Sequence, residues 1–217
     1  MVSDAEQTLR DVKAGDIIFG VAAGGQEKLL FVYEADEGGF SARHITSQMR
    51  ARFGRDGESS WAEGGGSCTI VSTAKLPPDM FAIALGLDRK FAARPEYPDS
   101  ILTKDEIHLI LNYDKFFKAH VLPGKEAIAR WAERINEVRS ILQLGWDPIN
   151  AQENPPDWNE YLGDLPELVD LLEKPASTVE VLGFLVDMAG RAGRKQQVGQ
   201  RGAAAAASLV ELRDSWT

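Results

Sequence analysis

A single cysteine in 217 residues rules out an intrachain disulfide, and Cys68 on its own fits a reducing compartment. The histidines number three, His44, His108 and His120, and no cysteine or histidine pair has the spacing of a structural zinc site. No apolar run approaches the roughly 18 residues of a membrane span. The first residues carry Asp4, Glu6 and Asp11 where a signal peptide has bases and then an apolar stretch, so the chain reads as cytoplasmic, without a membrane. Bases are also outnumbered. With 24 Lys and Arg against 33 Asp and Glu the formal charge is −9, which weighs against general affinity for nucleic acid or anionic lipid. What is present, 44% apolar and 26% charged residues, suits a soluble chain able to bury a substantial core.

Reaction chemistry is equally sparse. Cys68 and His44 fall on different predicted strands of one sheet, so a thiolate and imidazole pair is geometrically open, but Cys68 beside Thr69, Ile70 and Val71 reads first as a small core residue. Asp105, Glu106 and Asp114, facing Glu133 and Glu137, lack the Glu-x-x-His pairs of a carboxylate-bridged di-metal bundle. Gly64-Gly65-Gly66-Ser67 is too short for a phosphate loop, and Pro123-Gly124-Lys125 lacks the earlier glycine of one. No catalytic residue, metal ligand or cofactor site is assigned, and a non-enzymatic reading leads.

The fold pattern is α+β. Up to about residue 75, short branched and aromatic runs alternate with turns: Asp16–Val21, Leu29–Tyr33, Phe40–Ile45, Met49–Phe53 and Cys68–Val71. These five predict an antiparallel barrel or rolled sheet, SH3-like, over residues 1–95. Glycine-rich sequence from Gly54 to Gly66 separates the last two. Leu76-Pro77-Pro78-Asp79 opens an apolar piece to Phe91 that fits helix or strand, with Gly86 against the former. Pro95 and Pro98 mark a boundary.

Helical signals follow in a predicted bundle over residues 100–188. Thr103-Lys104-Asp105-Glu106 has the form of a capping box. Ile128, Trp131, Ile135, Val138 and Leu142 repeat at three and four. A third helical region spans Trp158 to Glu173, and Ser177-Thr178-Val179-Glu180 opens a fourth. Residues 189–217 read as a low-complexity linker followed by a terminal helix from Ala203, able to dock through Leu209, Val210, Leu212 and Trp216.

Charge is unevenly placed. From Asp157 to Asp187 eight carboxylates meet one base, Lys174, a local charge of −7. They alternate with apolar residues at helical spacing, so Asp157, Glu160, Asp164, Glu167, Asp170 and Glu173 form an acidic helix face. That face suits a basic protein partner, as in an inhibitor or immunity protein, or simply solvent. The opposite patch holds Arg43, Arg50, Arg52 and Arg55 with Phe40 and Phe53 at or beside its ends, the ingredients of a nucleic-acid surface, with arginine for phosphate and phenylalanine for base stacking. A third arrangement pairs the arginine strip with the acidic helices of the same chain.

Gly145-Trp146-Asp147-Pro148-Ile149, then Asp157-x-x-x-Tyr161, a helix ending Leu171-Leu172 and a helix opened by Ser177 resemble a small helical family of uncharacterised bacterial proteins with a Trp-Asp-Pro-Ile turn. The likeness spans about residues 125–188. Asn150 stands where that family carries glycine, and Asn159-Glu160-Tyr161 where it carries an acidic tyrosine motif. The resemblance implies a helical fold with Trp146 inside it, and its genomic settings point toward toxin immunity.

Overall fold

The computed structural model describes residues 9–61, 67–93, 102–146, 163–191 and 199–216. The chain divides into two compact units, residues 1–132 and 133–217.

The first unit is built on a closed antiparallel barrel of six strands taken in sequence order, β1 Ile17–Ala22, β2 Glu27–Asp36, β3 Gly39–His44, β4 Arg50–Gly54, β5 Glu58–Trp61 and β6 Ser67–Ser72, with β6 pairing back onto β1. The fifth, Glu58-Ser59-Ser60-Trp61, lies within the segment the sequence reads as a glycine-rich connection. Its residues show no apolar alternation, and it becomes a strand by pairing with β4 and β6. Gly57, at φ +81°, makes the turn into it. The β2 to β3 turn rests on Gly39, whose φ is +158° and on which any Cβ would collide with the carbonyl oxygen of Phe53.

Alternation sorts the strands into two faces. Ile18, Leu30, Val32, Phe40, Ala42, Ala51, Phe53, Cys68 and Ile70 fill the barrel, joined by Leu9, Val12 and Leu122. Phe40 and Phe53 stack there with centroids 5.3 Å apart. Every residue of β1 is buried, because Ile17, Phe19 and Val21 on its outer side pack under helices. These are α1 (Pro78–Ala93) and α2 (Lys104–Lys118), with the start of α3 (Glu126–Ile141). Helix α1 settles the ambiguity of that segment: Ala84, Leu87, Asp88 and Phe91 are buried at helical spacing. Phe19 stacks on Phe117 of α2 at 5.4 Å. The capping box of α2 is complete, Glu106 N donating to Thr103 Oγ1 at 3.3 Å and Thr103 N to Glu106 Oε2 at 2.7 Å.

In the second unit, α3 runs on into a π-helical turn, Leu142–Trp146, with Trp146 buried. Helix α4 (Leu165–Leu172) buries Leu165, Leu168, Val169 and Leu172. Helix α5 (Thr178–Arg191) opens as the sequence predicts, Ser177 N donating to Glu180 Oε2 at 2.7 Å and Glu180 N to Ser177 Oγ at 3.3 Å. The terminal helix α6 (Gly199–Asp214) begins earlier than Ala203 and does dock. Gly202, Ala205, Ala206 and Leu209 are buried, and the small residues permit close approach to α5. Val210, Leu212 and Trp216 are half-buried. Asp147, Pro148, Asp157, Trp158, Glu160 and Tyr161 lie outside the described residues, as do Gly64–Gly66, Pro95 and Pro98.

Candidate functional site

The arginine strip is largely occupied by its own barrel. Arg43 projects from the outer face of β3 onto α1, where Asp88 Oδ1 accepts from Nε at 2.8 Å and Oδ2 from Nη2 at 2.5 Å. Its guanidinium also lies over the Phe31 ring, 4.7 Å from the centroid. Arg52 Nη2 donates to both carboxylate oxygens of Asp36, at 2.8 and 2.7 Å, and this contact holds the Asp36 carboxyl below the usual carboxylate range. Arg55 donates to the backbone carbonyls of Leu9, Val12 and Asp36, bracing the segment before β1. Arg50 alone of the four has neither a carboxylate nor a backbone carbonyl as partner among the described residues; it lies over Tyr33 at 5.8 Å. The phenylalanines expected to stack on bases are instead fully buried and stack on each other.

His44 and Cys68 do not form a reactive pair. Burial, then the nearby Lys28 cation, push His44 down to about 3, so its imidazole is neutral. Burial pushes the Cys68 thiol up to about 12. The ring of His44 meets Ser47 Oγ at 2.6 Å and Thr46 Oγ1 at 3.3 Å, the hydroxyls of its own turn. On α2, burial would raise Glu106, but Lys90 at 2.6 Å and Thr103 outweigh it and keep the carboxyl low. Asp114 pairs with Lys118 at 3.2 Å.

The second unit brings the other set together. Asp164, Glu167, Asp170 and Glu173 follow one another at intervals of three along α4 and its flanks, opposite the buried leucines. The two ends of this row are held: Asp164 by Arg191 at 2.5 Å and Glu173 by Arg134 at 2.5 Å. Between them Glu167 and Asp170 are exposed and have no ion-pair partner among the described residues. Each charged strip thus finds partners inside its own unit, Arg43, Arg52 and Arg55 in the first, Asp164 and Glu173 in the second.

Beside Glu173 lies a feature the sequence does not reveal. A groove of about 890 Å³ runs between the turn after α4, the end of α6 and Arg134. Leu172 and Ala176 are its buried lining, and Trp216 is its aromatic wall. The Arg134 guanidinium sits 4.7 Å from the Trp216 ring centroid, and the indole Nε1 donates to Glu137 Oε2 at 2.8 Å. Arg213 donates to the Ala176 carbonyl at 2.5 Å and pairs with Asp214 at 2.6 Å. The sequence names Trp216 among the residues through which a terminal helix docks, from helix propensity, but not the groove it walls.

No family model matches the chain, and comparison with curated proteins and with solved structures gives no match. Among the described residues no helix is long and apolar enough to cross a membrane.

Proposed function

We propose that the chain is a non-enzymatic interaction protein that binds a basic protein partner through the acidic face of α4, in the manner of an inhibitor or immunity protein. The observation that carries this reading is the pair Glu167 and Asp170, exposed and without an ion-pair partner among the described residues while the carboxylates on either side are held by arginines. Anchored neighbours keep the row in place, and the two open charges supply long-range attraction to a basic surface. The neutral His44 and the un-ionised Cys68 support a reading without nucleophilic chemistry. With three of the four arginines of the strip engaged by carboxylates or backbone carbonyls, a phosphate-binding surface has less to recommend it, and nucleic acid is the weaker alternative.

The test is affinity capture from the source lysate with the wild-type chain and with Glu167→Lys plus Asp170→Lys. A basic protein retained by the first and lost from the second supports the reading. An unchanged set of captured proteins overturns it. The captured complex should also form more slowly as salt rises, since steering is screened over about 10 Å at 0.1 M ionic strength.

A further inference from the structure

We propose that the groove walled by Trp216 is a second binding site, for a short peptide segment carrying both an acidic and an apolar side chain. The charged residues that line it favour an anion although the chain as a whole is acidic. Three cations, Arg134, Lys174 and Arg213, stand against two carboxylates, Glu173 and Asp214. Arg134 and Arg213 are engaged by those carboxylates at 2.5 and 2.6 Å, so among the residues lining the groove the uncompensated charge is that of Lys174, while the Glu137 carboxylate accepts from the Trp216 indole. Lys174 is exposed, and its ammonium has no partner among the described residues.

The rest of the groove supplies what an anion alone would not need. A volume of about 890 Å³ far exceeds that of a carboxylate or phosphate and lies in the range of sites that enclose peptide-sized or drug-sized ligands. Exposed Pro175 and half-buried Trp216 offer apolar surface. The Trp216 ring cannot swing freely, being held at its nitrogen by Glu137 and on a face by Arg134. A ring immobilised before binding loses little entropy on binding, which is what makes an aromatic wall an effective anchor. An acidic side chain would then meet Lys174 while its apolar neighbour rests on Pro175 and Trp216. This site is separate from the open row on α4, because its ligand has the opposite charge.

The experiment is a fluorescence-polarisation titration of the full chain at about 150 mM salt, near physiological screening. The probes are labelled hexapeptides Leu-Asp-Phe-Glu-Leu-Asp and its amide analogue Leu-Asn-Phe-Gln-Leu-Asn. The acidic peptide should bind about tenfold more tightly than the amide peptide. Lys174→Glu should erase that preference, Lys174→Gln should reduce it, and Trp216→Ala should weaken both peptides. Glu167→Gln plus Asp170→Gln should leave the titration unchanged, which separates this site from the one proposed on α4. Absence of binding, equal binding of the two peptides, or a preference that survives Lys174→Glu overturns the proposal. Displacement of the acidic peptide by inorganic phosphate at the peptide's own concentration overturns it too, by reducing the site to a simple anion hole.

Discussion

Arg43 and Asp88, 45 positions apart in sequence, meet through two parallel hydrogen bonds that tie the outer face of the barrel to α1. The pair is mostly out of water, with side chains 22% and 5% exposed, and Gln48 adds a donor to Asp88 Oδ1 at 3.3 Å. Removing one partner leaves the other charge desolvated and unpaired, which costs far more than the net contribution of the pair. Asp88→Ala should therefore lower the unfolding free energy by about 3 kcal/mol in a urea titration. Arg43→Met combined with Asp88→Leu should recover much of that loss, and a double variant less stable than Asp88→Ala would contradict the account.

The depressed His44 gives stability a dependence on acid. Its imidazole titrates near 3 in the folded chain against 6.5 in its unperturbed state, so on acidification the unfolded chain takes up the proton first. The contribution is whole above pH 6.5 and falls away as the pH drops toward 3. Between pH 7 and pH 5 the wild type should lose about 2 kcal/mol more than His44→Gln, at about 1.4 kcal/mol per pH unit. Parallel losses in urea titrations at the two pH values would refute it.

Cys68 offers a check on the barrel interior. With the thiol at about 12 and its sulfur enclosed, neither ionisation nor access favours attack by a disulfide reagent. At pH 8 the native chain should release almost no thionitrobenzoate from Ellman's reagent within an hour, and one equivalent once denatured. Prompt stoichiometric labelling of the native protein would count against a closed interior.

Two helix starts carry reciprocal caps, Thr103 with Glu106 and Ser177 with Glu180. Thr103→Ala and Ser177→Ala should each destabilise the protein by about 1 kcal/mol, read from shifts of the urea midpoint. The Ser177 backbone N–H, and then its hydroxyl, keep Glu180 below the usual carboxylate range, so Ser177→Ala, which removes the hydroxyl alone, should undo only part of that lowering in an NMR titration.

These caps were legible because a box needs four neighbouring residues and no tertiary context. So were the strands whose branched and aromatic residues announce them. Strand β5 was not, since Glu58-Ser59-Ser60-Trp61 takes its conformation from flanking partners. Gly86 left α1 undecided by propensity alone, and buried Leu87 and Phe91 decide it. The acidic row was visible as composition, but which of its members are free depended on Arg134 and Arg191, distant in sequence. The partners of the arginine strip were hidden for the same reason: Asp88, Asp36 and the carbonyls that engage it are remote from it along the chain. The groove joins Arg134 to Trp216 across 82 positions, beyond the reach of any local pattern.

The return of β6 onto β1 has a consequence for recognition. A sheet closed on itself presents no unpaired row of backbone amides and carbonyls, so a visiting chain cannot extend it as a seventh strand. Whatever binds the barrel must do so through side chains and turns, not by adding a strand. The same closure denies neighbouring copies the template from which strand-to-strand aggregation starts.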